Sequence, residues 1–244
     1  MMKLVENFLS IQGEGAFSGK LAYFVRFAGC NFNCTGFNVS KNKNGKTLIG
    51  CDTLRAVYTN EFKDEYKEFN SCIFEDILSN FKQKPMVVIT GGEPLIHQEE
   101  PEFIRFMKYL DENNFLVQFE TNASIVLKDY DFYRNFHFAM GIKLANSGVS
   151  KQKRINHKAI ESILNLSKSA FFKIVLSKND LENPQELMEL KSVYKNADFY
   201  LMPQGATKKE LVINAKSVIE YAINNGFNYT DRLHIRIYDD LEGV

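Results

Sequence analysis

Three cysteines, Cys30, Cys34 and Cys51, precede an apolar run that ends in Thr90-Gly91-Gly92-Glu93-Pro94. Three thiolates can hold a four-iron cluster while leaving one iron without a protein ligand, and that iron is then free to bind and activate a small molecule. Three residues separate Cys30 from Cys34, and sixteen separate Cys34 from Cys51. A structural zinc site or unrelated buried thiols are the plainer readings, yet structural zinc takes four ligands and no histidine is close to these cysteines in sequence. Cys72 stands apart, opening an amphipathic pattern with Ile73, Phe74, Ile77 and Leu78, and reads as a small buried hydrophobe. By itself Gly91-Gly92-Glu93-Pro94 is an ordinary tight turn after a strand. Beside the cysteines it becomes a place where backbone can approach a ligand with no side chain in the way.

The elements that must position these residues are legible as a pattern. Apolar runs rich in β-branched and aromatic residues alternate with segments of helical period, which is the signature of βα units around a parallel sheet. Residues 21–28, 86–90, 115–120, 138–144, 170–176 and 199–202 read as strands, with 233–237 as the last. Phe103, Phe106, Met107 and Leu110 recur at helical spacing, as do Leu187, Leu190, Val193 and Tyr194, so each set marks a buried stripe. Asn183-Pro184-Gln185-Glu186 and Thr207-Lys208-Lys209-Glu210 are helix starts, and Asn225-Gly226 is a helix stop. The expected fold class is α/β, a partial (β/α) barrel, as a single domain over 1–244. Two segments interrupt it. Residues 38–50 are polar and read as a loop inserted between the second and third clustered cysteines. Residues 60–69 are charged, with Phe62, Tyr66 and Phe69 on one face, and suggest an inserted helix at about 54–70.

Composition narrows the function. The chain has 244 residues, with 30 Lys and Arg against 30 Asp and Glu. A balanced charge creates no field to draw in nucleic acid or an anionic membrane, so a small-molecule partner is the better expectation. The start, Met1-Met2-Lys3-Leu4, has no signal-peptide layout, and no apolar run approaches the roughly 20 residues of a membrane span. A cytoplasmic location follows, and in that reducing compartment clustered cysteines are metal ligands or redox groups. His97, His137, His157 and His234 are scattered with no metal-ligand spacing and read as surface or satisfied core residues.

Cys30-Asn31-Phe32-Asn33-Cys34 after one strand and Gly91-Gly92-Glu93-Pro94 closing another resemble the radical S-adenosylmethionine enzymes. Ser10-Ile11-Gln12-Gly13-Glu14-Gly15, Phe24-Val25-Arg26-Phe27-Ala28-Gly29-Cys30 and Cys51-Asp52-Thr53 are similar, within them, to the 7-carboxy-7-deazaguanine synthase family of the queuosine and 7-deazapurine pathway. Glu120-Thr121-Asn122, Lys143-Leu144-Ala145-Asn146-Ser147-Gly148, Leu201-Met202-Pro203-Gln204-Gly205 and the terminal Gly243-Val244 occur in the expected order. Two departures stand out. The common spacing of the superfamily places its third cysteine at position 37, where this chain has Phe37. The residue before the third cysteine, usually an aromatic that touches adenine, is here Gly50, with Phe37 the candidate substitute.

The resemblance implies a barrel of the radical S-adenosylmethionine type and a lyase that converts 6-carboxy-5,6,7,8-tetrahydropterin to 7-carboxy-7-deazaguanine with loss of ammonia. It implies a [4Fe-4S] cluster on Cys30, Cys34 and Cys51, S-adenosyl-L-methionine contacted by Gly92, Glu93, Asn122, Lys143 and Gln204, and Mg2+ on Thr53. Substrate would meet Gln12, Gly13, Glu14, Arg26 and Thr90. The arginine offers a planar fork to a carboxylate, the Gln12–Glu14 loop an amide and a carboxylate to a heterocycle edge, and the threonine a hard oxygen to Mg2+. The plainer roles are a surface salt bridge for Arg26 and a helix cap for Thr53. An electron donor such as flavodoxin or ferredoxin and a homodimer are implied as well, and the Val244 carboxylate is a candidate substrate contact. Two other readings share parts of the pattern: a radical activating enzyme that installs a glycyl radical on a partner protein, and a non-catalytic zinc-stabilised module.

Overall fold

The computed structural model describes residues 2–241 and 243. The strands are β1 (Lys3–Ile11), β2 (Leu21–Phe27), β3 (Val39–Lys43), β4 (Lys46–Gly50), β5 (Lys67–Glu68), β6 (Met86–Gly91), β7 (Val117–Thr121), β8 (His137–Met140), β9 (Ser169–Leu176), β10 (Asp198–Pro203) and β11 (Asn228–Tyr229). The helices are α1 (Leu54–Val57), α2 (Thr59–Phe62), α3 (Ser71–Ser79), α4 (Pro101–Glu112), α5 (Lys151–Arg154), α6 (His157–Leu166), α7 (Gln185–Val193), α8 (Lys208–Asn225) and α9 (Leu233–Tyr238). Among the described residues one sheet runs in the order β11-β10-β9-β8-β7-β6-β2-β1-β5. From β2 to β11 every pairing in it is parallel, while β1 and β5 add antiparallel strands at one edge. This is the expected α/β partial barrel. No helix among the described residues is long and apolar enough to cross a membrane.

Alternation along each strand divides its side chains between two environments. Val25 and Phe27 on β2, Val87 and Ile89 on β6, and Phe172, Ile174 and Leu176 on β9 join the main apolar core, together with Phe103, Phe106, Met107 and Leu110 of α4. The opposite face looks into the barrel. There the strands begin apolar, with Ala22, Phe24, Met86 and Val88 packed against Phe8, Phe17 and Leu116. Further along they turn polar, and Arg26, Thr90, Glu120 and Lys173 line a cavity. One sheet face thus supplies both a hydrophobic plug and a charged mouth at the carboxyl ends of the strands.

Several elements differ from expectation. Residues 233–237 form helix α9, not a strand, with Arg236 N bonded to Arg232 O and Asp239 N to Ile235 O. Only Ile235 of that helix is buried, so its alternating sequence never had a sheet face to cover. The 38–50 loop is a β-hairpin, β3–β4, turned by Asn44 and Gly45 at φ 50° and 75°. An Asn-Gly pair with two positive φ values is a type I′ turn, the commonest tight hairpin connection. The 54–70 helix is broken into α1, α2, a single 3-10 turn and β5. Phe62 packs in a small cluster with Leu48 and Leu54, whereas Phe69 enters the main core. Cys72 is exposed instead of buried, its amide capped by the Asn70 side chain. Val193 is 58% exposed and leaves the expected stripe of α7 to Leu187, Leu190 and Tyr194. Asn183 does not cap α7, and Glu186 is taken instead by Arg154 and the Ala145 amide. The Thr207 cap and the left-handed Gly226 stop are as expected. Strand β1, with its bulge between Leu4 and Glu6, has no counterpart in the expected elements. Val244 lies outside the described residues.

These positions predict unequal mutational costs. Leu110→Ala, at a site with no exposure, should lose about 2–5 kcal/mol of unfolding free energy in a urea titration. Cys72→Ser should stay within about 0.5 kcal/mol of the parent.

Candidate active site

The site begins where β2 hands over to the cysteine loop. Gly91 has φ 153°, and a Cβ there would stand 2.3 Å from Phe27 O; at Gly92 it would stand 2.3 Å from Gly29 O and 2.6 Å from Cys30 Cβ. Those distances are far inside van der Waals contact, so only glycine lets the end of β6 lie against the Phe27–Cys30 backbone. Gly92 N then donates to Phe27 O and Glu93 N to Gly29 O. From the other side Gly29 N donates to Ala56 O, while His97 Nε2 bonds Ala28 O at 2.8 Å. The side chains missing at Gly91 and Gly92 therefore make room for this chain's own loop.

Glu93 has no exposed surface and turns inward. It accepts from Leu95 N at 3.0 Å, Thr121 Oγ1 at 2.7 Å and Asn122 N at 2.6 Å. Burial pushes its carboxyl up to about 6 against these three donors. Asn122 in turn donates from Nδ2 to Asn31 Oδ1 at 2.8 Å, between the first two cysteines. The Gly91-Gly92-Glu93-Pro94 turn thus ties β6 to the end of β7 and back to the cysteine loop.

Cys30, Cys34 and Cys51 are all free thiols lining one cavity of about 930 Å3, within the range of small-molecule sites. Burial pushes Cys30 up to about 12 and Cys34 to about 11. Among the described residues no three Cys, His, Asp or Glu side chains close around a point that would hold a single metal ion. A cubane cluster asks for something else, one sulfur for each of three separate irons, and three thiols lining one cavity are the donor set it takes. Thr53 heads α1 without a side-chain cap and its Oγ1 lies 3.1 Å from Cys51 Sγ. Phe37 and Lys143 also line the cavity, the ammonium 5.8 Å from the ring centroid. Gly50 has room for a Cβ, whose nearest neighbour would be an ordinary 3.6 Å away. Gln204, just after β10, lines the cavity as well.

A network of charges lines the same cavity. Lys173 Nζ lies 2.7 Å from Glu14 Oε2 and 3.3 Å from Glu120 Oε1. Arg232 reaches Glu14 Oε1 at 2.9 Å, the Gly205 carbonyl at 2.7 Å and Asp52, the neighbour of Cys51. Gln12 Nε2 donates to Glu120, Gln12 Oε1 accepts from Glu14 N, and Thr90 Oγ1 sits 3.4 Å from Glu120 Oε2. His234 packs against Gly13 and lies 3.8 Å from Glu14. Burial alone would raise Glu14, but Lys173 and Arg232 outweigh it and hold the carboxyl well below its ordinary 4.5. Burial would likewise lower Lys173, and Glu120 and Glu14 reverse that to push the amine up.

The structure therefore brings Gln12, Gly13, Glu14, Arg26, Thr90, Gly92, Asn122, Lys143, Gln204, Thr53 and the three cysteines to one cavity, and keeps Glu93 behind its wall. Arg26 is held in plane by Glu6, its Nε 2.8 Å from Oε1, and Arg55 shares that carboxylate. Sequence reasoning passed over Lys173, Arg232, Asp52 and Glu6 and placed His234 elsewhere, although all five line the cavity. Lys173 did carry a signal, a lone cation inside Ala-Phe-Phe-Lys-Ile-Val-Leu, since a strand interior tolerates charge only with a partner.

Residues 11–166 match the family model of a 4Fe-4S single cluster domain. The chain resembles proteins named 7-carboxy-7-deazaguanine synthase: it is 29% identical to the one from Clostridium acetobutylicum, covering 93% of this chain and 90% of that one. It is 24% identical to the one from Thermoplasma acidophilum, covering both chains fully. QueE from Escherichia coli has a similar structure, with TM-score 0.66 at 21% identity over 96% of this chain and 94% of that one. SuiB from Streptococcus suis, bound to S-adenosylmethionine, aligns with TM-score 0.51 at 17% identity over 88% of this chain and 51% of its own. The fold is the partial barrel of the radical S-adenosylmethionine enzymes.

The charge network has a pH signature. Glu14, whose carboxyl is lowered, contributes stability that is present above its ordinary value of 4.5 and is lost as pH falls through its folded value. Removing Lys173 strands buried carboxylates, so Lys173→Met should lose about 3–5 kcal/mol at pH 7 by urea unfolding of the apoprotein. The gap between parent and variant should narrow below pH 4.5, because protonated Glu14 no longer needs the amine. An equal gap at pH 7 and pH 4 would show that the network carries no such charge coupling.

Proposed function

The chain belongs to the 4Fe-4S single cluster domain family, and from that premise we propose that it is a radical S-adenosylmethionine lyase acting on 6-carboxy-5,6,7,8-tetrahydropterin. The product is 7-carboxy-7-deazaguanine, released with ammonia. The observation that carries the reading is a single cavity in which three free thiols share walls with the Gln12–Glu14 loop, Arg26 and Thr90. In this reading Cys30, Cys34 and Cys51 hold the [4Fe-4S] cluster. When bound, cluster and S-adenosylmethionine together supply a one-electron cleavage that starts hydrogen abstraction from the substrate.

The chain's own residues bind, orient and exclude water. Gly92, Asn122, Lys143 and Gln204 receive S-adenosylmethionine, while Glu93 acts from behind the wall by anchoring Thr121 and Asn122. Phe37, close to Lys143, offers an aromatic face to adenine where Gly50 has none. Arg26, with Nε committed to Glu6, presents its remaining nitrogens as a fork to the substrate carboxylate. Gln12, Glu14 and Thr90 meet the pterin edge; each carboxylate oxygen of Glu14 keeps a lone pair beyond its Lys173 or Arg232 bond. Thr53 would supply a hydroxyl oxygen to Mg2+, a hard cation that takes oxygen donors. A flavodoxin or ferredoxin as electron donor, a homodimer and a cytoplasmic site complete the reading.

Reduced, anaerobically reconstituted protein supplied with S-adenosylmethionine, Mg2+ and the carboxytetrahydropterin should yield the deazaguanine by mass and release 5'-deoxyadenosine. Cys30→Ala, Cys34→Ala and Cys51→Ala should each lose iron and sulfide, and Cys72→Ala should keep both. An iron-loaded protein that forms neither product overturns the proposal.

A further inference from the structure

The three thiols come from two stretches of chain that the backbone joins only beyond the cysteines themselves, through the Val39–Gly50 end of the hairpin ladder and the Gly29 N to Ala56 O bond. Cys30 and Cys34 sit on the loop after β2, whereas Cys51 follows β4 at the end of a hairpin that leaves that loop and returns to it. Between the cysteines and that ladder a side chain adds a second link. The Tyr58 hydroxyl accepts from Asn33 Nδ2 at 3.0 Å and donates to Ile49 O at 2.7 Å. A single phenolic oxygen therefore connects the residue before Cys34 with the residue two before Cys51. The tyrosine is itself referenced to the third thiol, because Leu54 N donates to Cys51 O and Tyr58 N donates to Leu54 O. Its ring packs on Leu48, Leu54 and Phe62, the small apolar cluster that seats the hairpin.

We propose that Tyr58 is a positioning residue whose hydroxyl sets the distance between the Cys30–Cys34 loop and Cys51, so that three thiolates fit the corners of one cluster. The inference rests on the reading that these thiols hold iron and sulfide. A neutral hydrogen bond of this kind has a modest net worth, so the link tunes the site and does not decide whether the chain folds. Geometry favours Tyr58 over the other hairpin contacts. Lys43 meets Glu65 and the Phe62 ring, which ties the hairpin to the segment after it and leaves the first two cysteines untouched.

Tyr58→Phe keeps the ring and its packing and deletes only the oxygen; Asn33→Ala removes the other end of the link at an exposed position. In the apoproteins, melting temperatures should match the parent while amide exchange across residues 46–51 rises roughly five- to tenfold. In the reconstituted proteins, iron loss to a chelator should quicken by roughly the same factor, and the double variant should be no worse than either single one. A merely structural role would lower the melting temperature and leave no such split. Variants that hold iron as long as the parent, with unchanged exchange across the hairpin, overturn the proposal. Parent protein that takes up no iron and sulfide overturns the cluster reading and the role of Tyr58 in it, while the exchange measurement on apoprotein still reports whether the link exists.

Discussion

The approach of two backbones, Gly91-Gly92 against Phe27–Cys30, is the constraint from which the site is built. With a Cβ at Gly92 held to 2.3 Å of Gly29 O, there is no relaxed alternative to glycine, and the contact fixes where the first thiol leaves the sheet. Around that contact the hydrogen bonds form a closed circuit. Gly92 and Glu93 bond back to the cysteine loop through their amides, Glu93 crosses to Thr121 and Asn122, and Asn122 returns to Asn31 beside Cys30. The bonds to the fully buried Glu93 carboxylate satisfy a group that would otherwise be stranded, at about 1–3 kcal/mol each. A buried carboxylate at the turn is therefore structural first: it welds β6 to β7 at the point where ligands must be held still.

The second device, the Glu14–Lys173–Glu120 and Arg232 network, is an inefficient way to gain stability, since burying charges returns little beyond their desolvation penalty. Its value lies in uniqueness. Glu14 comes from the loop after β1, Glu120 from β7, Lys173 from β9 and Arg232 from the segment before α9. In the observed placement each of these charges has a partner. The same residues bridge the space between the first and last elements of an open sheet: Leu233 N also bonds Gly13 O, and Gly15 N bonds Thr230 Oγ1. A barrel without a complete ring of strands is closed here by polar contacts, which put its charges at the mouth of the cavity.

Much of this was legible because it is local. The parallel strands announced themselves by apolar runs, the cysteines and Gly91-Gly92 by spacing, and the Thr207 and Gly226 helix ends by capping chemistry. The errors have physical causes. Leu-His-Ile-Arg-Ile at 233–237 alternates like a strand, but the sheet edge beside it is taken by β11, and Arg232 pulls the segment into the charge network as a helix. Asn44-Gly45 was a hairpin turn in plain sight, masked by the polarity of its flanks. Arg232 and His234 could not have been found, because their partner Glu14 lies more than two hundred residues away and no periodicity encodes such a pairing.

The long connection between β2 and β6 shows why ligand spacing can vary without loss of the site. Loop closure depends on length only logarithmically, so extending a spacer from about two residues to about sixteen adds roughly 1.8 kcal/mol of entropy cost. A hairpin offsets that by its own pairing, from Val39 with Gly50 to Lys43 with Lys46, and by burying Leu48 against Leu54 and Phe62. Since strand residues also return the chain close to where it left, Cys51 emerges near Cys34 despite the added length. Number of residues is then a poor guide to ligand geometry; what matters is which contacts close the excursion at its base. Lys43 of β3 lies on the same hairpin face as Leu48, where it reaches Glu65, and so serves that closure.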